Sequence, residues 1–329
     1  MKPIRELLKE IAHSSDPDRA LTEHAYKGFS DSEKKQLQDK KLQVYAGKVR
    51  ELIRTEKELY IYHTDRLSAF DRFVGMVPYK GSLLAEISEY WLKAVADIVP
   101  THYLDRPHER VLRCVACNPY KVEVVVRGYM AGTMMRAYQK GIREFCGVKL
   151  PEGLEAYRAL PQAIITPTTK AAAFEHDEDA KPEELVAQGV CTKEEWQQIS
   201  GMALDLFRFG QEKYAEKGWI LVDTKYEFGR DATGVIRVID EIHTPDSSRL
   251  WMKSNYESNL ARGDAPEMLD KENVRRYLLE QGFSGQGTVP TVPVTRLIAL
   301  AETYLKVAET LTGRTLVSHG PMPVSPLFP

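Results

Sequence analysis

No run in the chain approaches the roughly 18–20 apolar residues that a membrane-crossing helix needs. The longest, such as LVAQGV and VLRCVA, are short and interrupted. The opening MKPIRELLKEIAHSSD sets acids inside its apolar pattern and lacks the apolar core of a secretory leader. A cytoplasmic protein is expected. An excess of one charge is missing as well: 45 Lys and Arg face 47 Asp and Glu, a formal net charge of -2. No global field therefore draws the chain to nucleic acid or to a membrane, and neither is expected as a partner. Cysteine is scarce, and four in 329 residues make no disulfide framework. Cys114 and Cys117 form a CxxC, but a zinc site wants a second pair and a redox site wants the pair at a helix start. VLRCVACNP reads instead as a strand running into an Asn-Pro turn, its cysteines two small core residues. The GxxxxGK[ST] phosphate loop, an internal repeat and a Ser-His-Asp arrangement are also lacking. His63 and His243 have no nucleophile to serve. His176 lies in EHDED, where a solvated acidic loop is a simpler reading than a metal site.

What is present centres on VDTKYEFG, residues 222–229. As a strand it alternates: Val222, Thr224, Tyr226 and Phe228 take one face, Asp223, Lys225 and Glu227 the other. GRDATG follows, with Asp231 and Gly234 as turn residues, and then VIRVIDE, so an antiparallel hairpin is expected. If Arg230 pairs with Val235, Lys225 faces Asp240; one step further on, Glu227 faces Asp240. Either register sets Lys225, Glu227 and Asp240 on one side, provided that no bulge intervenes. Two carboxylates and a lysine suit a nucleotide-bound Mg²⁺, which takes one or two protein carboxylates and completes its shell with phosphate oxygens and water. The competing reading is a surface ion-pair ladder, worth about 0–1 kcal/mol per pair.

Four further stretches suit anions. In YAGKVREL, Gly47 precedes Lys48 and Arg50 inside strand-like sequence, where a glycine lets backbone approach a phosphate. TDRLSAFDR crowds Asp65, Arg66, Ser68 and Asp71 into a short loop, which could equally be a self-satisfied turn. In VVVRGYMAGT, Arg127 leaves a buried strand and meets glycines. HTPDSSR adds hydroxyls and Arg249. The rest is scaffold. Residues 1–40 read as a helical extension and 82–98 as a helix that Ser82 caps. Residues 147–190 read as a long loop, and a helix opens at a Thr192/Glu195 capping box. The tail GPMPVSPLFP is expected to lie extended. Composition shifts from sheet-rich to mixed near 118–121.

GKVREL, TDRLSAFD, KGSLLAEISEYW, VEVVVRGYMAGT, ITPTTKA, LVDTKYEFG and DEIHTPDSSRLW occur in that order across about 45–251. Together they resemble the phosphoribosylaminoimidazole-succinocarboxamide synthase (SAICAR synthetase) family. The resemblance implies an α+β fold, in which an antiparallel-sheet domain (41–120) closes over a larger mixed domain (121–329), with ATP in the cleft and the 1–40 extension beside them. It implies a ligase that joins L-aspartate to carboxyaminoimidazole ribonucleotide, consuming ATP through an acyl phosphate. Carried over onto this chain, Gly47, Lys48 and Arg50 would meet the ATP phosphates, and the backbone of Glu123 to Val125 would meet adenine. Glu227 and Asp240 would hold Mg²⁺, with Lys225 and Asp223 at the reacting groups. Arg127, Thr133 and Arg249, with Ser247 and Ser248 nearby, would hold the ribonucleotide, and Asp65, Arg66 and Ser68 would line the substrate side. Thr133 stands where many relatives have serine, and His243 where an apolar residue is common. The N-terminal extension is expected to serve as an oligomer contact, making a homo-oligomer, or as a lid. Two rivals remain: a small-molecule kinase, which lacks an HRD-like base here, and a nucleotide-binding regulator without catalysis.

Overall fold

The computed structural model describes residues 2–169 and 178–320, which group into two compact units. One unit draws on Met1–Lys93, His102–Ala116 and Asp270–Pro329, the other on Ala94–Thr101 and Cys117–Leu269. The sequence pattern placed everything beyond residue 120 in one domain. Instead, the helices Glu272–Glu280 and Val294–Thr312 belong with the N-terminal residues. The cause is the amphipathic helix Ile4–Ala12, whose stripe of Ile4, Leu8 and Ile11 is wholly buried. Its apolar partner is Val294–Thr312, and the short strands Lys2–Pro3 and Val317–Ser318 pair antiparallel beside it. The Pro-rich tail and His176 lie outside the described residues, apart from Gly320 at the start of the tail.

The first unit is built on a five-stranded antiparallel sheet in the order Gln43–Ala46, Arg50–Arg54, Glu58–His63, Val111–Val115, Tyr103–His108. A hairpin, Arg66–Ala69 with Arg72–Met76, leads into the helix Lys80–Ala94. That helix starts two residues before the expected Ser82 and ends at Ala94, so Ser82 is no cap. Its buried hydroxyl donates to the Tyr79 carbonyl at 3.2 Å. The CxxC straddles the two units, Cys114 in the strand Val111–Val115 and Cys117 opening the strand Cys117–Pro119. No disulfide joins the four cysteines, and all are buried.

The second unit holds a six-stranded sheet around one long strand, Trp219–Asp231. Val122–Tyr129 pairs with it at 223–226, Ser248–Met252 at 219–224, Ile236–Ile239 at 227–230 and Cys117–Pro119 at 229–231. Partners on both edges satisfy its backbone, and Val222, Tyr226 and Phe228 are completely buried on one face, with Thr224 nearly so. The helix Lys193–Glu216 packs on this sheet. It opens at the expected capping box: Thr192 Oγ1 accepts from Glu195 N at 3.2 Å, and Thr192 N donates to Glu195 Oε2 at 2.7 Å.

Two expectations need correction. Residues 147–190 are not one long loop, because Ala159–Thr169 is an eleven-residue strand at the edge of the six-stranded sheet, paired with Val122–Tyr129. Pro161 and Pro167 disguised it, yet proline is admissible in an edge strand. The hairpin register also differs from both expected ones, since Glu227 faces Ile239 and Arg230 faces Ile236. The turn is responsible. The Asp231 carboxylate accepts from Thr233 N at 2.8 Å, Thr233 Oγ1 at 2.7 Å and Val235 N at 3.0 Å. Asp231 N donates to the Val235 carbonyl at 3.0 Å, and Gly234 takes φ +89°. A loop of three residues results, where both expected registers assumed four. The strand then ends at Ile239, and Asp240 leaves it with φ +65°, so its side chain does not follow the pleat.

Three histidines are held neutral by the fold. Burial lowers His243 to about 3 and His108 to about 4, the latter with help from the Arg110 charge. Burial also drives His63 well below its ordinary value, with Arg50 adding to the effect. Each is uncharged in both states at pH 7. As pH falls, the unfolded chain takes up protons near 6.5 while the folded one does not. The stability present above that value is therefore lost on the way down. The unfolding free energy should fall between about pH 6.5 and 4, by about 1 kcal/mol per pH unit for each fully buried histidine, and the urea midpoint with it. A midpoint that stays flat over that range would contradict this.

Candidate active site

The charged side of the long strand gathers partners from both neighbours. Asp223 stands opposite Arg127 on one side and Arg249 on the other. Its Oδ2 accepts from Arg249 Nη1 at 2.7 Å and faces Arg127 Nη1 at 3.5 Å. Arg127 also donates from Nε to Thr166 Oγ1 at 2.9 Å and from Nη2 to Thr133 Oγ1 at 3.3 Å, and it lies over the Phe145 ring. Burial depresses the Arg127 pKa, and the Asp223 charge works against that loss. Two guanidinium groups on one carboxylate leave a surplus positive charge. It lies beside the start of the helix Gly132–Gln139, whose first amides have no side-chain cap. Gly132 is needed there twice over. It takes φ +62°, and a Cβ on it would come within 2.7 Å of the Arg249 guanidinium. A hollow of about 500 Å³ begins at Thr133 and Phe145, its wall mixing Arg136, Lys140 and Lys181 with Glu144, Asp179 and Glu184. The surplus positive charge at this end of the face comes from Arg127 and Arg249.

Two residues along the strand the charge reverses. Lys225 Nζ donates to Glu123 and lies 3.4 Å from Glu227 Oε1. Burial works against the ammonium charge, but Glu227, Glu123 and Glu241 outweigh it, so the Lys225 pKa is raised. About a third of its side chain, 34%, is exposed, while Glu123, Glu227 and Glu241 are all buried. Glu241 Oε2 accepts from Thr244 Oγ1 at 2.7 Å. Three acids around one base leave surplus negative charge at this end. Glu241 escaped the sequence reading, although it directly follows Asp240 in the same DE pair.

Several expected residues take other places. Glu123 contributes its side chain to the Lys225 cluster, and Val125 sits between Thr166 and Lys225 in the ladder. Ser248 is on the opposite face, its hydroxyl donating to Thr224 Oγ1 at 2.8 Å. Ser247 Oγ lies 3.2 Å from Thr244 Oγ1. Asp240 is half-buried, one residue beyond the partner of Glu227. His243 is buried against the Tyr226 hydroxyl, 2.6 Å from Nε2.

In the first unit, Gly47 N donates to the Arg50 carbonyl at 2.8 Å and closes a tight turn, with Lys48 paired to Asp71 at 2.7 Å. Ser68 is half-buried in the following hairpin. Asp65 is enclosed by its own unit. Fully buried, its Oδ1 accepts from Gly81 N at 2.8 Å and Arg110 Nη1 at 2.7 Å, and its Oδ2 from Tyr26 N at 2.8 Å. Arg66 likewise points inward, to Glu51 Oε1 at 2.7 Å and to the carbonyls of Lys27, Gly47 and Arg50.

A sheet face with a surplus of positive charge beside a surplus of negative charge is a layout suited to handling carboxylates and phosphates by charge and position. Known proteins agree. Residues 43–292 match the family model of SAICAR synthetase. The phosphoribosylaminoimidazole-succinocarboxamide synthase of Bacteroides fragilis is 44% identical over 280 residues, 84% of this chain and 89% of that protein. That of Legionella pneumophila is 42% identical over 287 residues, 85% and 91% of the two chains. The SAICAR synthase of Saccharomyces cerevisiae, solved in complex with SAICAR, superposes with a TM-score of 0.72 at 30% identity and covers 84% of this chain and 97% of its own. A SAICAR synthetase in complex with ADP reaches 0.64 at 27% identity, covering 84% and 100%. The chain belongs to the SAICAR synthetase family, mixed α+β enzymes that join L-aspartate to carboxyaminoimidazole ribonucleotide in purine biosynthesis.

Proposed function

We propose that the reaction runs on the charged face of Trp219–Asp231, with ATP as the energy source and an acyl phosphate as the intermediate. The observation that carries this reading is the reversal of charge within three residues of one strand, from Arg127–Asp223–Arg249 to Glu123–Lys225–Glu227. Arg127, Arg249 and Thr133 hold the ribonucleotide phosphate, and Asp223 keeps the two guanidinium groups in place as a positioning residue. The imidazole carboxylate then reaches toward Lys225. A carboxylate oxygen attacks the γ-phosphorus of ATP and ADP leaves. The aspartate amine next attacks the carbonyl carbon, phosphate departs with the bonding pair, and the nitrogen loses a proton to give the amide. The Lys225 ammonium neutralises the two anions as they approach. Gly47 and Lys48 meet the phosphates of ATP.

Glu227, Asp240 and Glu241 offer the hard oxygen donors that Mg²⁺ takes. Among the described residues no three His, Cys, Asp or Glu side chains are grouped to enclose a metal. When bound, such an ion neutralises phosphate charge. Asp240→Asn, a near-isosteric change, is expected to raise the Mg²⁺ concentration needed for half-maximal turnover about tenfold with the fold intact. An unchanged Mg²⁺ requirement would remove Asp240 from the metal site. No helix among the described residues is long and apolar enough to cross a membrane, and we place the reaction in the cytoplasm.

The test is ADP release from Mg²⁺-ATP and carboxyaminoimidazole ribonucleotide, with and without L-aspartate. Aspartate-dependent release matched by succinocarboxamide product is expected. Phosphate transfer to another acceptor without aspartate would favour a kinase, and nucleotide binding without turnover a regulator.

A further inference from the structure

The N-terminal extension and the loop Gly47–Arg50 meet at one buried ion pair. Glu51 is 1% exposed, and its Oε1 accepts from Arg66 Nη1 at 2.7 Å. The same guanidinium donates to the carbonyls of Gly47 at 2.9 Å and Arg50 at 3.2 Å, one at each end of the loop. Thr64 holds the carbonyl between them, Oγ1 donating to Val49 O at 2.7 Å. Three of the four loop carbonyls are thus drawn inward. Among the described residues, neither Lys48 nor Val49 uses its backbone N–H in a hydrogen bond within the protein. A loop whose carbonyls are turned in and whose amides are left over presents donors to an anion. Turning even one carbonyl outward would set a negative dipole against a phosphate.

Residues 26–28 back this device. Tyr26 exchanges two backbone-level hydrogen bonds with Asp65, N to Oδ2 at 2.8 Å and O from Asp65 N at 2.8 Å, and Lys27 O accepts from Arg66 Nη1 at 2.9 Å. Gly28 takes φ +112°, and a Cβ there would lie 2.5 Å from Glu51 Oε1 and 3.0 Å from Arg66 Nη1. Only glycine lets the extension close over the pair.

We propose that the Glu51–Arg66 pair, backed by Lys27 and Gly28 of the N-terminal extension, is the positioning device of the 47–50 loop and sets the affinity for nucleotide. Glu51, Arg66 and Gly28 act through the loop and touch no substrate. The extension thereby has a role inside its own chain, distinct from an oligomer contact. The proposal rests on the reading of the loop as a nucleotide-phosphate site.

Glu51→Gln keeps shape and removes the charge, Arg66→Lys loses the fork that spans both ends of the loop, and Gly28→Ala crowds the pair from the extension. Each is expected to weaken Mg²⁺-ADP binding, read by calorimetry, and to raise KM for ATP, both about tenfold. KM for the ribonucleotide and for L-aspartate should stay within about twofold. A mere loss of stability would move all three constants and the melting temperature together. Lys48→Pro, which removes one of the two loop amides together with the ammonium, serves as the control for the reading beneath. If it leaves ADP affinity unchanged, the loop is not a nucleotide site. If it weakens ADP binding and the other three do not, the positioning device alone is refuted. Should Glu51→Gln fail to fold, hydrogen exchange at Lys48 and Val49 in the unaltered chain decides: ADP slows it if the loop amides bind phosphate, and leaves it unchanged if they do not.

Discussion

Lys225→Met is expected to lower kcat about a thousandfold, while KM for the ribonucleotide changes no more than a few-fold. The split follows from the layout of the strand. The Arg127, Thr133 and Arg249 seat does not involve Lys225, whereas the ammonium is the base set among Glu123, Glu227 and Glu241. Methionine matches the length of the stem and removes the charge, so three carboxylates face an incoming triphosphate without relief. Because the Lys225 pKa is raised, the ammonium stays charged through neutral pH. Its contribution is complete below the unfolded value near 10.4 and is lost only as pH rises through the still higher folded one. The rate should therefore not decline between pH 7 and 9 on its account. Quench-flow measurement of ADP release would show it, and a variant that keeps a tenth of the normal rate would take Lys225 away from the reacting groups.

Asp65→Ala is expected to act on stability instead. The carboxylate is completely buried and accepts from Arg110, Gly81 and Tyr26, which tie the strand end, the helix Lys80–Ala94 and the N-terminal extension to one point. Removing it strands the buried Arg110 charge, a loss of about 3–5 kcal/mol. The melting transition should drop by about 10 °C. In protein that remains folded, KM for each substrate should hold. A large rise in KM for one substrate at unchanged melting temperature would return Asp65 to the binding site, where the TDRLSAFD motif had suggested it belongs.

The alternation of VDTKYEFG was legible because a strand sends successive side chains to opposite faces, and the structure keeps Asp223, Lys225 and Glu227 on a common face. The capping box of Thr192 and Glu195 was legible for a similarly local reason. Register was not. It depended on the Asp231 side chain replacing backbone acceptors in the turn, and one residue of loop length decides which side chains oppose. The strand Ala159–Thr169 was hidden by its prolines, whose cost depends on whether an edge lies there, which is a tertiary fact. Asp65 and Arg66 misled for a related reason. A charged residue in a polar loop looks available, and only the fold shows that Tyr26, Gly81, Arg110 and Glu51 reach it from distant parts of the chain. Glu241 was passed over because adjacent acids on a strand point apart, a rule that fails once Asp240 turns to φ +65°.

That edge strand also bears on how copies of the chain can meet. Proline at 161 and 167 withholds two amide donors. Along its far end the backbone is already met by residues 178–180, through Thr169 N to Glu178 O at 2.8 Å and Ala180 N to Pro167 O at 3.0 Å. A sheet finished in this way offers no template for another strand to join. Continuous intermolecular sheets, and the fibrous aggregates that grow from them, are closed off at this border.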